Sequence, residues 1–166
     1  MLMSVSAKDC GQFRKDSMAK KKKTGFSVEE SHAYYIYSIQ AASYAKLADA
    51  VRPHGLNTPG WRVVANLQEK DGTSLRDLAR RTSIDVSNLS KLIASMDAQG
   101  LVTRKRSASD ARRVLVHITG KGRKTFEAAL PAVRGVLDRS LDGFSDKERD
   151  RFRACLKRML ENVSGG

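Results

Sequence analysis

The chain is short of the residues that stapled or extracellular scaffolds rely on. Of 166 residues, two are cysteine and three are proline. Cys10 and Cys155 stand far apart, so no disulfide framework is expected, and a reduced, cytoplasmic setting is the simplest reading. Aromatic residues make up 6%, which points to a helical core filled by aliphatic side chains. No run approaches the ~20 apolar residues of a membrane span. The charged N-terminus is not followed by an apolar stretch, so a secretory signal is not expected. The three histidines, His32, His54 and His117, are dispersed, and with two distant cysteines they offer no metal-ligand spacing. Gly-x-Ser-x-Gly is absent. The run Gly120-Lys121-Gly122-Arg123-Lys124-Thr125 lacks the upstream glycine and the Gly-Lys-Thr order of a phosphate loop. No catalytic residue, cofactor or metal is therefore expected, and enzyme classes recede.

What the chain has in excess is positive charge, a formal +13. Residues 1–24 and residues 74–119 each carry a net +5, residues 120–166 carry +4, and residues 25–73 carry −1. The second basic block coincides with the most patterned stretch, Ser74–Thr119. Leu75, Leu78 and Ala79 give the apolar side of a short helix that Ser74 can cap, with Arg76, Arg80 and Arg81 outward. A second helix opens at Asp85, whose carboxylate can accept hydrogen bonds from the free N–H groups of the first turn. Val86, Leu89, Leu92, Ile93 and Met96 form its apolar stripe. Ser87, Asn88, Ser90 and Lys91 form the opposite face, which has no acid and suits base edges and phosphates in a major groove. For Ser87 and Asn88 helix capping is the competing role. Gly100 can end this helix in the left-handed conformation.

Two strands follow. Leu101-Val102-Thr103 runs into Arg104-Lys105-Arg106, and Val114, Val116 and Ile118 alternate with Leu115, His117 and Thr119. The loop Ser107–Arg113 between them is small, polar and basic. Strand, loop and strand after a helix-turn-helix make a wing. Asp110-Ala111-Arg112-Arg113-Val114-Leu115-Val116-His117-Ile118-Thr119 resembles the wing signature D-x-R-x-x-x-V-x-[LI]-T of the MarR (multiple antibiotic resistance regulator) family. Asp85–Leu92 resembles that family's recognition-helix opening, and Gly100-Leu101-Val102 its G-L-V after the helix. The run Leu56–Val64 resembles its second-helix opening L-T-x-x-x-W-x-V-L, with Gly60 where many members have glutamine.

The flanking segments read as helices. Ser27-Val28-Glu29-Glu30 looks like a capping box, followed by a helix to about Arg52 with Tyr37, Ala41, Tyr44, Ala48 and Val51 as a seam. Pro53 and Gly55 end it. Thr58 is expected to cap the next helix, with Pro59 at its first position. Thr119 is expected to cap the helix after the wing, whose stripe is Phe126, Leu130, Val133, Leu137 and Leu141, with a kink at Pro131. Ser145-Asp146-Lys147-Glu148 is a second capping box. The last helix has Phe152, Cys155, Leu156, Met159, Leu160 and Val163 on one side.

The expected architecture is mainly α with a small β-wing (α+β). A basic, disordered tail occupies residues 1–26. One domain covers residues 27–163, with a winged helix-turn-helix core at about 56–119 and dimerisation helices at about 28–52 and 120–163. A single recognition helix reads one half-site, so a homodimer on double-stranded DNA fits best, and the resemblance implies the same. The candidate DNA-binding residues are Ser87, Asn88, Ser90, Lys91, Arg106, Asp110, Arg112 and Arg113. The resemblance places Arg112 in the minor groove. Asp110 is expected to hold Arg112 or another arginine in place, and Arg104, Arg106 and Arg113 are general phosphate binders or simply exposed. It also implies a repressor released by a small aromatic acid or its thioester. His32, Tyr34, Tyr37, Trp61 and Arg62 are the candidate ligand-binding residues, with core packing as the competing role for the aromatics. An architectural DNA-binder without a ligand is the alternative function. A cysteine-based redox regulator is a further one, although Cys10 sits well before the first helix.

Overall fold

The computed structural model describes residues 27–107 and 113–165. The tail, including Cys10, and the wing positions Asp110 and Arg112 lie outside the described residues. The chain divides into two units, Met1–Ser38 and Ile39–Gly166. The first helix, α1 (His32–Val51), begins in the first unit and ends in the second. A 3-10 turn (Arg52–His54), α2 (Thr58–Glu69), β1 (Thr73–Ser74), α3 (Leu75–Thr82), α4 (Val86–Ala98), β2 (Val102–Arg106), β3 (Val114–Ile118), α5 (Gly120–Arg139) and α6 (Asp146–Ser164) follow.

In the first unit the helix starts later than its capping box predicts. The Glu30 amide does donate to the Ser27 hydroxyl, at 3.3 Å. It closes a turn, not a helix, because the Ser31 hydroxyl accepts from the Ala33 amide at 3.2 Å and starts α1 there. Tyr34 and Tyr35 meet edge to face with ring centroids 5.5 Å apart.

The second unit is held by a core drawn from every element around the basic stretch. Val51, Val63, Val64, Leu67, Leu78, Leu89, Ile93, Val102, Val116 and Val133 are all buried. α2 is capped by Asn57, not Thr58: the Asn57 side-chain oxygen accepts from the Gly60 amide at 2.7 Å. The Thr58 hydroxyl instead turns inward, buried and without a hydrogen-bond partner among the described residues. Gly60 makes room for this cap, since a Cβ there would stand 3.0 Å from the Asn57 oxygen. The remaining expected caps are in place. Ser74 accepts from the Asp77 amide, Asp85 from Ser87 and Asn88, and Thr119 from Gly122. Glu148 accepts from both the amide and the hydroxyl of Ser145.

The sheet is antiparallel, in the order β1-β3-β2. β2 and β3 pair from Val102 opposite Ile118 out to Arg106 opposite Val114. Burial fades along that register: Val102, Val116 and Ile118 are buried, whereas Val114 is exposed where the wing leaves the core. β1 has only two residues, too few for a strand period, and the sequence pattern does not reveal it. At its foot Asp71 joins three elements. One carboxylate oxygen accepts from the Ile118 amide of β3 at 2.9 Å, and the other from the Arg123 guanidinium of α5 at 3.1 Å. Arg123 also donates to Gln68 of α2 at 2.9 Å.

α5 reaches the core through Gly122, Ala129 and Val133, and the Phe126 ring stacks on Trp61 at 5.0 Å. It runs as one helix through Pro131. On α6 most of the expected stripe is exposed: Leu160 is 64% and Val163 73% exposed, and Cys155 is exposed as well, while Phe152 meets Phe144 with ring centroids 6.2 Å apart.

The close approach of α5 to the base of the wing is testable at one residue. A Cβ on Gly122 would run into the backbone carbonyl of Leu101 and stand 2.8 Å from Ile118, whereas one on Gly120 would meet nothing within 4 Å. Gly122→Ala is expected to cost about 1–3 kcal/mol through forced repacking, and Gly120→Ala less than about 0.5 kcal/mol. Equal denaturant midpoints for the two variants would contradict this packing.

Candidate nucleic-acid interface

The site is built on α4 and depends on which way that helix is turned. Leu89, Ile93 and Met96 are buried, and Leu92 is half-buried beside them. Each fully buried side chain of this kind contributes roughly 1.5–3 kcal/mol, so together they fix the helix about its own axis. Ser87, Asn88, Ser90 and Lys91 then all face solvent. Val86, expected on the buried stripe, is 46% exposed. It is the first helical residue, and helical side chains lean toward the N-terminus, so it projects past the edge of the core.

The start of α4 is tied down by one carboxylate. Asp85 Oδ1 accepts from the amides of Ser87 at 2.9 Å and Asn88 at 3.2 Å, and from the Ser87 hydroxyl at 2.7 Å. The Ser87 hydroxyl, then the Asn88 and Ser87 amides, hold the Asp85 carboxyl below its ordinary pKa. Two of the four recognition candidates thus separate. The Ser87 hydroxyl is engaged in the cap. Asn88 contributes only its amide there, and its side chain is free of partners among the described residues.

The wing brings further cations to the same block. Lys105, Arg106 and Arg113 are exposed, and the Ser107 amide donates to the Arg113 carbonyl at 2.8 Å across the loop. Arg104, read from sequence as a phosphate binder, donates to Asp97 of α4 at 3.0 Å and braces the wing against the recognition helix. Arg81, read as outward, folds back on α2 to Asn66 at 3.1 Å and Glu69 at 2.9 Å. Asp77 has its pKa lowered, first by the Ser74 hydroxyl and further by the charges of Arg80 and Arg113.

The candidate ligand positions fall in different parts of the chain. His32, Tyr34 and Tyr37 belong to the first unit, where Tyr37 is 71% exposed. Trp61 and Arg62 belong to the second. Trp61 is 9% exposed and stacked on Phe126 with 12° between the ring planes, whereas Arg62 is exposed. Among the described residues no group of three His, Cys, Asp or Glu side chains could hold a metal, and no helix is long and apolar enough to cross a membrane.

Comparison with known proteins agrees with this geometry. A family model described as "MarR family" matches residues 54–113, the span from the end of the 3-10 turn to the wing. The HTH-type transcriptional repressor IacR of Pseudomonas putida is 26% identical over 138 residues, which is 83% of this chain and 80% of that protein. The crystal structure of a MarR-family transcriptional regulator from Silicibacter pomeroyi superposes with a TM-score of 0.76 at 29% identity, covering 86% of this chain and 97% of that one. CouR shares the fold. Its complex with p-coumaroyl-CoA, from Rhodococcus jostii RHA1, gives a TM-score of 0.74 at 22% identity, covering 81% and 95% of the two chains. CouR on a 23-mer DNA duplex gives 0.73 at 24%, covering 85% and 99%.

The cap at Asp85 has a pH signature. Its folded pKa is lowered, so its stabilising effect is present above the ordinary aspartate pKa of about 3.9. That effect is lost as pH falls through the depressed folded value. Asp85→Asn retains a capping oxygen without the titration. The variant is expected to melt near the parent at neutral pH and to lose less of its Tm between about pH 4 and pH 2. Parallel pH–Tm curves for the two proteins would show that Asp85 does not hold the helix start.

Proposed function

This chain belongs to the MarR family of winged-helix transcriptional regulators, and from that premise we propose that it is a ligand-responsive repressor acting as a homodimer on an inverted-repeat operator. One observation carries the DNA-reading half. The face of α4 opposite the buried Leu89, Ile93 and Met96 consists of Ser87, Asn88, Ser90 and Lys91, all exposed and all lacking negative charge. Lys105, Arg106 and Arg113 supply phosphate contacts beside it. The roles of Arg112 in the minor groove and of Asp110 in orienting an arginine rest on the D-x-R motif. The exposed apolar residues of α6, Leu156, Leu160 and Val163, support the dimer, since a single chain leaves that surface in water.

The test joins assembly to recognition. Size-exclusion chromatography with light scattering should give a dimer, and footprinting should protect two half-sites about one helical turn apart. Asn88→Ala should lower the preference for operator over scrambled duplex by about 1–3 kcal/mol, with its melting temperature unchanged because the Asp85 cap uses only the Asn88 amide. A monomer protecting a single half-site would sink the dimeric reading. Binding indifferent to sequence would favour an architectural role.

For the effector, the candidate side chains are His32, Tyr34 and Tyr37 in the first unit and Trp61 and Arg62 in the second. The aromatic thioester named in the CouR complex is the chemical precedent. A ligand that moves the DNA-competent fraction from 99:1 to 1:99 must prefer the other state by about 5.5 kcal/mol. Titration with a panel of aromatic carboxylates and their thioesters should therefore change Trp61 emission and lower operator affinity together. If the whole panel leaves both signals flat, this class of effector is wrong.

A further inference from the structure

α4 starts beyond the core that holds it. Ile93 is 1% exposed, and Val86 stands seven residues before it. Seven residues make nearly two helical turns, so the two side chains leave α4 within about 20° of one another, with about 10 Å of helix between them. Val86 is nevertheless 46% exposed, while Ile84 before it and Leu92 after it pack against the core. Position along the axis, not rotation about it, therefore uncovers Val86. Around it Ser87, Asn88 and Ser90 are exposed, and Ser90, four residues on, is its neighbour on the helix surface. The Ser87 hydroxyl is held by the Asp85 carboxylate at 2.7 Å. The first turn of α4 thus presents an aliphatic side chain to solvent beside the Asn88 amide group.

We propose that Val86 is a specificity-determining residue that meets a pyrimidine 5-methyl group in the major groove. Given the DNA-reading role proposed above, on which this contact depends, the end of α4 that overhangs the core is the end that enters the groove, because the N-terminal residues of a recognition helix meet the base edges. Those edges present donors and acceptors, with one apolar exception, the 5-methyl group of thymine. 5-Methylcytosine carries the same group at the same ring position. A valine side chain makes no hydrogen bond. Set against adenine, guanine or unmethylated cytosine, it strips water from a donor or acceptor and leaves that group unpaired. Set against a methyl group, it removes apolar surface from water on both sides. Val86 thus favours a methylated pyrimidine and disfavours the other bases at one step. Its branched side chain has one strongly preferred rotamer in a helix, so ordering it against a base costs little entropy. The neighbouring Ser87, Asn88, Ser90 and Lys91 carry no negative charge that would oppose the approach.

The test starts from a duplex that the full chain selects out of a random library, with Kd measured by fluorescence anisotropy. Each thymine of that duplex is replaced singly by deoxyuridine, which removes the 5-methyl group and leaves the hydrogen-bonding edge unchanged. In a second series each cytosine is replaced by 5-methylcytosine, which adds the group. One position in each half-site is expected to respond. Either a thymine loses about fourfold in affinity with its methyl group, or a cytosine gains about fourfold on methylation, the effect of burying one methyl-sized group. The first result assigns thymine as the source of the methyl group, and the second assigns 5-methylcytosine. Val86→Ser should bring that ratio close to one, with the melting temperature of the free protein unchanged because the residue is exposed. Val86→Ile should preserve it. A methyl effect that survives Val86→Ser, or a preferred sequence indifferent to both series, would overturn this assignment and leave the DNA reading standing. A selection that recovers no preferred sequence would overturn the DNA reading and this contact with it.

Discussion

The rotational setting of the recognition helix is the constraint on which the DNA face depends, and three buried side chains impose it. Leu89, Ile93 and Met96 recur at four and three residues and pack into the same core as Leu78, Val102 and Val116. Turning α4 by one residue would lift roughly 100° of apolar surface into water and drive Lys91 or Ser90 toward that core. Burying an unpaired ammonium or hydroxyl there is expensive. The polar face therefore needs no specific contact to hold it outward, because the opposite face excludes any other setting.

Carboxylates act as the fasteners of this basic protein. Asp85 closes the start of α4, Asp97 holds Arg104 of the wing, and Glu69 holds Arg81. Asp71 ties the end of α2 to both β3 and α5. Four acids are thus spent on internal joints, while Lys91, Lys105 and Arg106 have no acidic partner among the described residues.

Asp71 also accounts for the connection between reading head and flanking helix. Its two oxygens bind β3 and α5 at positions 47 and 52 residues further along the chain, and Arg123 extends the joint to Gln68. Gly122, packed against Leu101, brings α5 close enough for that joint to form. α5 is thereby linked to the base of the wing through two side chains, the Arg123 guanidinium on the Asp71 carboxylate and that carboxylate on the Ile118 amide. Lys121 makes a second link from α5, to the other end of the recognition helix.

Periodicity and capping are local, and most of both is readable from the sequence: the α4 stripe, the caps at Ser74, Asp85 and Thr119, the glycine at position 100 and the alternation of β3. A hydrogen bond across three residues or a stripe along one helix depends only on neighbours in the chain. Where two neighbours compete for one role, the local signal is ambiguous. Ser31 prevails over Ser27 and Asn57 over Thr58 because the side chain that reaches the free amide is set by how the incoming backbone is held. The exposure of Val86, the two-residue β1, the pairing of Arg104 with Asp97, the Asp71 joint and the contact of Lys121 with Gln99 have no local signature. The hydrogen-bonded pairs among them are separated by seven to fifty-two residues. The sequence by itself determined that this chain forms a basic helix-turn-helix with a wing. Only the tertiary structure decided which charges are left free for DNA and which are locked into joints, because an ion pair forms between groups that packing brings together, and the sequence does not state that distance.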